Sequence, residues 1–140
     1  MLNILFKPTP KKQIGFEDMK IAIKNPMRYI LINTLPTGEQ DVLIRGTIPM
    51  DREEIVVNKQ LNDYNTPDLP VIVYGRNSCD TSAESKQTQL CSLGIVDVYI
   101  YPGGLFEWLL LQDVYGEDEF PTTNTVPADT LRYRSKSCLS

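Results

Sequence analysis

The chain has 140 residues, 41% of them apolar and 23% charged, which suits one globular domain with a real core and argues against disorder throughout. Its 14 basic and 18 acidic residues leave a formal charge of −4, so neither nucleic acid nor an anionic membrane is expected as a partner. Histidine is absent, which removes Ser/His/Asp and Cys/His nucleophile pairs and the commonest zinc sites together.

Cys79, Cys91 and Cys138 stand at no metal-ligand spacing, and an odd number cannot all pair within the chain. We therefore expect no metal, no cofactor, and a reducing, intracellular (cytoplasmic) compartment. Met1 to Phe6 lack a charged start leading into a long apolar stretch, so no signal peptide is expected. The longest apolar cluster, residues 105–111, is broken by Glu107 and falls well short of the roughly 20 residues of a membrane span.

In chain order, residues 14–24 place Phe16, Met19, Ala22 and Ile23 near one helical face, and Asn25-Pro26 stops that helix. The run 29–33 is continuously apolar, as in a strand buried on both faces of a parallel sheet. After a polar loop at 37–41, Asp51 with Glu54 three residues on predicts a helix to about Tyr64. Residues 69–74 form the clearest strand, followed by a polar loop from Gly75 to Asp80. Thr81 and Glu84 have capping-box spacing, predicting a helix to Leu93 closed by Gly94. A strand at 96–101, a Pro-Gly-Gly turn at 102–104 and an apolar helix from Leu105 to Tyr115 complete the pattern. Residues 1–116 are thus assigned to one domain, and 117–140 to an extended, partly ordered tail. The basic residues Arg132, Arg134 and Lys136 read as part of that solvated tail. Helices alternating with buried strands predict an α/β fold, a mainly parallel central sheet with helices on both faces.

The segment 98–108, Val-Tyr-Ile-Tyr-Pro-Gly-Gly-Leu-Phe-Glu-Trp, resembles the strand and G-G-x-x-x-W motif of the rhodanese-like family. The strand ending at Tyr74 and the helix ending at Leu93-Gly94 stand at the right distance before it. Ile30-Leu-Ile-Asn33 is similar to the family's first core strand, and Ile44-Arg-Gly-Thr-Ile-Pro49 to its G-H-I-P segment. The likeness runs from about Phe16 to Leu111 and implies the rhodanese-like fold. Trp108, among Leu105, Leu109 and Val114, reads as a core anchor.

The resemblance also implies a catalytic cysteine directly after the strand, where this chain has Gly75. In the family its thiolate lies in a bowl of backbone N–H groups at a helix N-terminus and passes sulfur on as a persulfide. Asn33 replaces the family's aspartate and Thr47 its histidine. Three changes at three functional positions point to a copy without sulfurtransferase activity, in which no catalytic residue is expected.

Residues 75–81 (Gly75, Arg76, Asn77, Ser78, Cys79, Asp80, Thr81) keep the loop length of an anion bowl, so a small anion is a candidate ligand, opposed by Asp80. Cys79 is the alternative nucleophile in that loop, for sulfur transfer or for phosphate ester cleavage as in phosphatases sharing the fold, although the charge of Asp80 beside it opposes a thiolate. Cys91 reads as a small core residue and Cys138 as a tail thiol. Phe106, Leu110, Leu111 and Tyr115 give the last helix more apolar surface than one face buries; either the tail covers it or a protein partner does. Three functions compete: a non-catalytic binding or regulatory module, a sulfurtransferase or phosphatase using Cys79, and a structural component of a larger assembly, a viral one included, since 102–123 loosely resembles rhodanese-like proteins of protists and large DNA viruses.

Overall fold

The computed structural model describes residues 12–124, 129–137 and 139, so Met1 to Phe6 and Cys138 lie outside the described residues. Three strands, β1 (Ile30–Asn33), β2 (Val71–Tyr74) and β3 (Val98–Ile100), form a parallel sheet in the order β1-β2-β3. Ile30, Val71 and Val98 stand in register. Parallel bridges from Gln13 to Ile100 and from Thr47 to Leu31 add a rung at each edge.

Alternation along the strands sorts their side chains into two cores. Leu31, Ile72 and Tyr74 face one cluster, which includes Met19 and Ala22 of α1 (Phe16–Lys24) and Leu105, Trp108 and Leu109 of α4 (Gly104–Tyr115). Ile30, Ile32, Val71, Val73, Val98 and Ile100 face the other, with Val57 of α2 (Met50–Asn62) and Ala83 and Leu90 of α3 (Ser82–Leu93). The expected α/β architecture, helices on both faces of a parallel sheet, is the one observed. Trp108 is fully buried, its ring edge-on to those of Tyr101 and Phe120.

Several local expectations are corrected. The strands are shorter than the apolar runs: before β2, Pro70 has no N–H to donate, and before β3, Ile95 still closes α3 through a bond to the Leu90 carbonyl. Helix α2 begins at Met50 after Pro49 rather than at an Asp51 cap, and it ends where the Asp63 carboxylate accepts from the Asn65 N–H and the Thr66 hydroxyl. Thr81 forms no capping box, because its side chain makes no cap bond; the Asp80 carboxylate caps α3 instead, accepting from the Ser82 N–H at 2.9 Å. At the far end Gly94, at φ +115°, closes the helix as expected. Cys91 is exposed, not a core residue, since α3 buries only Ala83 and Leu90.

The described parts of the tail pack on the domain rather than running free. Phe120 is buried against the rings of Phe16, Trp108 and Tyr115, and Trp108 Nε1 donates to the Pro121 carbonyl. Residues Thr130–Tyr133 form a 3-10 turn along α4, where the Thr130 hydroxyl donates to Asp113. Arg132 is correspondingly no free tail charge: it lies 3.5 Å from Asp41 and donates to the Gly38 carbonyl.

Candidate functional site: the loop after β2

In a parallel α/β sheet the strand C-termini open onto the usual site for chemistry, and here the loop 75–81 leaves that edge to start α3. Its outer side is bolted to α4. The N–H groups of Leu105 and Phe106 donate to the carbonyls of Gly75 and Arg76 at 3.0 and 2.8 Å. This approach needs a bare Cα at Gly104, where φ is +67°.

Within the loop, the Asp80 carboxylate folds back toward the strand. Oδ2 accepts from the Arg76 N–H at 2.9 Å while Oδ1 takes the Ser82 N–H. A Cβ on Gly75 would lie 2.6 Å from Asp80 Oδ2 and 3.1 Å from the Thr34 hydroxyl oxygen, which is itself 2.6 Å from that of Ser82. Burial by itself would raise the Asp80 pKa, but the Arg76 and Ser82 N–H groups, the Ser82 hydroxyl and the Arg76 charge together hold it below the ordinary carboxylate value. Amides of the loop therefore already serve an anion, supplied by the chain itself.

The other loop side chains are engaged elsewhere. Arg76 lies 3.3 Å from Glu39, donates to the Arg132 carbonyl at 2.5 Å and stands over the Tyr133 ring. Asn77 Nδ2 donates to the Tyr133 carbonyl while its Oδ1 accepts from the Cys79 N–H. Arg76 and Asn77 thus hold the tail, an arrangement no local pattern in the sequence announced. Ser78, Cys79 and Thr81 are exposed.

The two remaining positions singled out from the sequence serve the scaffold. Thr47 is buried, and its hydroxyl donates to the Ile44 carbonyl at 2.6 Å. That leaves the Tyr74 hydroxyl to donate to Thr47 Oγ1 at 2.6 Å and to accept from the Ile44 N–H at 3.1 Å, closing a satisfied ring. Burial, only partly offset by these bonds, keeps the Tyr74 phenol protonated well beyond its usual range. Asn33 Oδ1 accepts from the Leu35 N–H, whereas Nδ2 finds no hydrogen-bond partner among the described residues. Asn33, Asp80, Ser82, Glu53 and Lys86 border an open depression of about 720 Å³ beside the loop.

On α4, Leu110, Val114 and Tyr115 are 42%, 73% and 65% exposed, whereas Phe106 and Leu111 are partly buried against the core. The described part of the tail covers one flank of this helix, and Leu110, Val114 and Tyr115 stay exposed. No described helix is long and apolar enough to cross a membrane.

The profile of the rhodanese-like domain family matches residues 34–111, and the chain belongs to that family. Solved structures share its fold. A single-domain sulfurtransferase from Saccharomyces cerevisiae superposes with a TM-score of 0.56 at 19% identity, covering 79% of this chain and 98% of that one. The rhodanese-like domain of an Anabaena protein gives 0.53 at 22% identity over 94% and 96% of the two chains. The full-length protein from Lactobacillus plantarum gives 0.56 at 18% identity over 80% and 87%. No curated protein matches the chain.

Proposed function

We propose that this chain is a rhodanese-like domain without sulfurtransferase activity, whose role is to hold a protein partner. The observation carrying this reading is the pair Gly75 and Asp80. Sulfur transfer from thiosulfate needs a thiolate that attacks the sulfane sulfur, breaking its S–S bond so that sulfite leaves with the bonding electrons. The resulting persulfide then gives its outer sulfur to cyanide, releasing thiocyanate and restoring the thiolate. Glycine offers no thiolate, and a carboxylate lies 2.6 Å from where its side chain would start. Carboxylate oxygens do not replace sulfur in this cycle.

The partner-binding half of the proposal draws on α4. Leu110, Val114 and Tyr115 form an exposed apolar strip at helical spacing, with Phe106 and Leu111 at its inner edge.

A second reading, a sulfurtransferase built on Cys79, draws on the exposure of that thiol within the same loop. Thiosulfate-to-cyanide sulfur transfer by the full chain beside Cys79→Ser separates the two. The non-catalytic reading predicts equal, background thiocyanate release from both. Activity in the parent that Cys79→Ser abolishes would establish the enzyme instead.

A further inference from the structure

We infer that Asp80 and a side chain at position 75 exclude one another, so that Asp80, and not the glycine alone, keeps a thiolate from the position after β2. The inference rests on reading the loop as a sulfur-transfer loop in origin, and it adds a second determinant of its chemistry.

Space makes the case. Gly75 is not among the glycines at positive φ, so its backbone does not itself call for glycine. What it lacks is room: its Cβ would meet Asp80 Oδ2 at 2.6 Å, Asp80 Cγ at 3.0 Å and Thr34 Oγ1 at 3.1 Å. The carboxylate cannot step aside freely, since one oxygen holds the Arg76 N–H and the other the Ser82 N–H, both at 2.9 Å. Nor can the backbone retreat easily, because Leu105 and Phe106 grip the carbonyls of residues 75 and 76. A cysteine placed at 75 therefore either expels Asp80 from its two amides or sits against a carboxylate, which opposes thiolate formation. Removing the carboxylate as well returns the N–H groups of Arg76 and Ser82, and the N-terminal dipole of α3, to the new thiol.

The experiment compares Gly75→Cys with Gly75→Cys/Asp80→Ala in a Cys79→Ser, Cys91→Ser, Cys138→Ser background, following iodoacetamide alkylation against pH. Expected is a thiol in the double change that titrates below the free value of about 8.5, with alkylation at pH 7 at least tenfold faster than in Gly75→Cys. Equal titration in the two, with no loss of Tm in Gly75→Cys relative to the same background bearing Gly75, would overturn the exclusion. Thiosulfate-to-cyanide transfer is measured alongside. A low-pKa thiol that transfers no sulfur would sink the sulfur-transfer origin of the loop while leaving the exclusion standing. Should the cysteine variants fold poorly, Gly75→Ala is measured with and without Asp80→Ala. The loss of Tm in Gly75→Ala should be relieved in the pair, and an undiminished loss would count against exclusion.

Discussion

Gly104 holds φ at +67°, and a Cβ there would lie 2.7 Å from the Gly75 carbonyl oxygen and 2.9 Å from the Asn77 nitrogen. The start of α4 thus presses directly on the loop after β2, backbone against backbone. Gly104→Ala combines a left-handed conformation, costing about 1–2 kcal/mol for a side-chain-bearing residue, with a collision that no rotamer relieves. We predict a stability loss above about 2 kcal/mol in urea unfolding, with the loop displaced. A near-neutral substitution would show that the close approach is not maintained in solution.

Thr47 and Tyr74 test whether the Thr47 hydroxyl serves the scaffold. Thr47→Val keeps the shape but strips the acceptor from the Tyr74 hydroxyl, which is fully buried. A loss of about 1–3 kcal/mol is expected, read from the shift in urea midpoint at constant m-value. A variant as stable as the parent would deny the ring its role.

Tyr133 separates packing from polarity. Its side chain is 1% exposed while its hydroxyl has no hydrogen-bond partner among the described residues. Tyr133→Phe should fall within about 0.5 kcal/mol of the parent, whereas Tyr133→Ala should cost about 3–5 kcal/mol, as for other large buried rings. Loss of the ring should also expose Arg76 and Asn77, seen as faster amide exchange across residues 75–78. If both variants unfold alike, the docked tail contributes little.

The depressed Asp80 pKa gives a pH dependence of fixed sign. A carboxyl with a folded pKa below its unfolded value of about 3.9 stabilises the fold above that pH and loses the contribution as pH falls toward the folded pKa. Asp63 and Glu119 are depressed too, by hydrogen bonds from Thr66 and Lys20 respectively. The informative quantity is accordingly the difference between the parent and Asp80→Asn. The parent's advantage should be full above about pH 4 and shrink below it; an advantage independent of pH would assign the effect to neutral hydrogen bonding.

The parts of the fold legible in the sequence were those written in continuous apolar runs. Ile30 to Ile32 and Val71 to Tyr74 can be satisfied only between two helical layers, and Trp108 only in a core. The site was legible in outline, through Gly75 after its strand and the paired glycines at 103 and 104. The direction of the Asp80 carboxylate was not. Asp80 and Thr81 both carry cap-forming side chains, and Asp80 bonds both the Arg76 and the Ser82 N–H by lying in the space beside Gly75. Docking of the tail was hidden for a similar reason. Residues 117–137 show no periodicity, and Phe120 is placed by rings of Phe16 and Trp108 from distant segments. Cys91 is exposed although it neighbours buried Leu90, because α3 buries only a narrow stripe.

The most direct test of the non-catalytic reading is the intact mass of the protein after incubation with thiosulfate, cyanide being withheld so that any persulfide persists. The account predicts an unchanged mass for the parent and for Cys79→Ser alike. A sulfur-sized gain that maps to Cys79 and disappears in Cys79→Ser would contradict it and make this loop a working sulfur carrier.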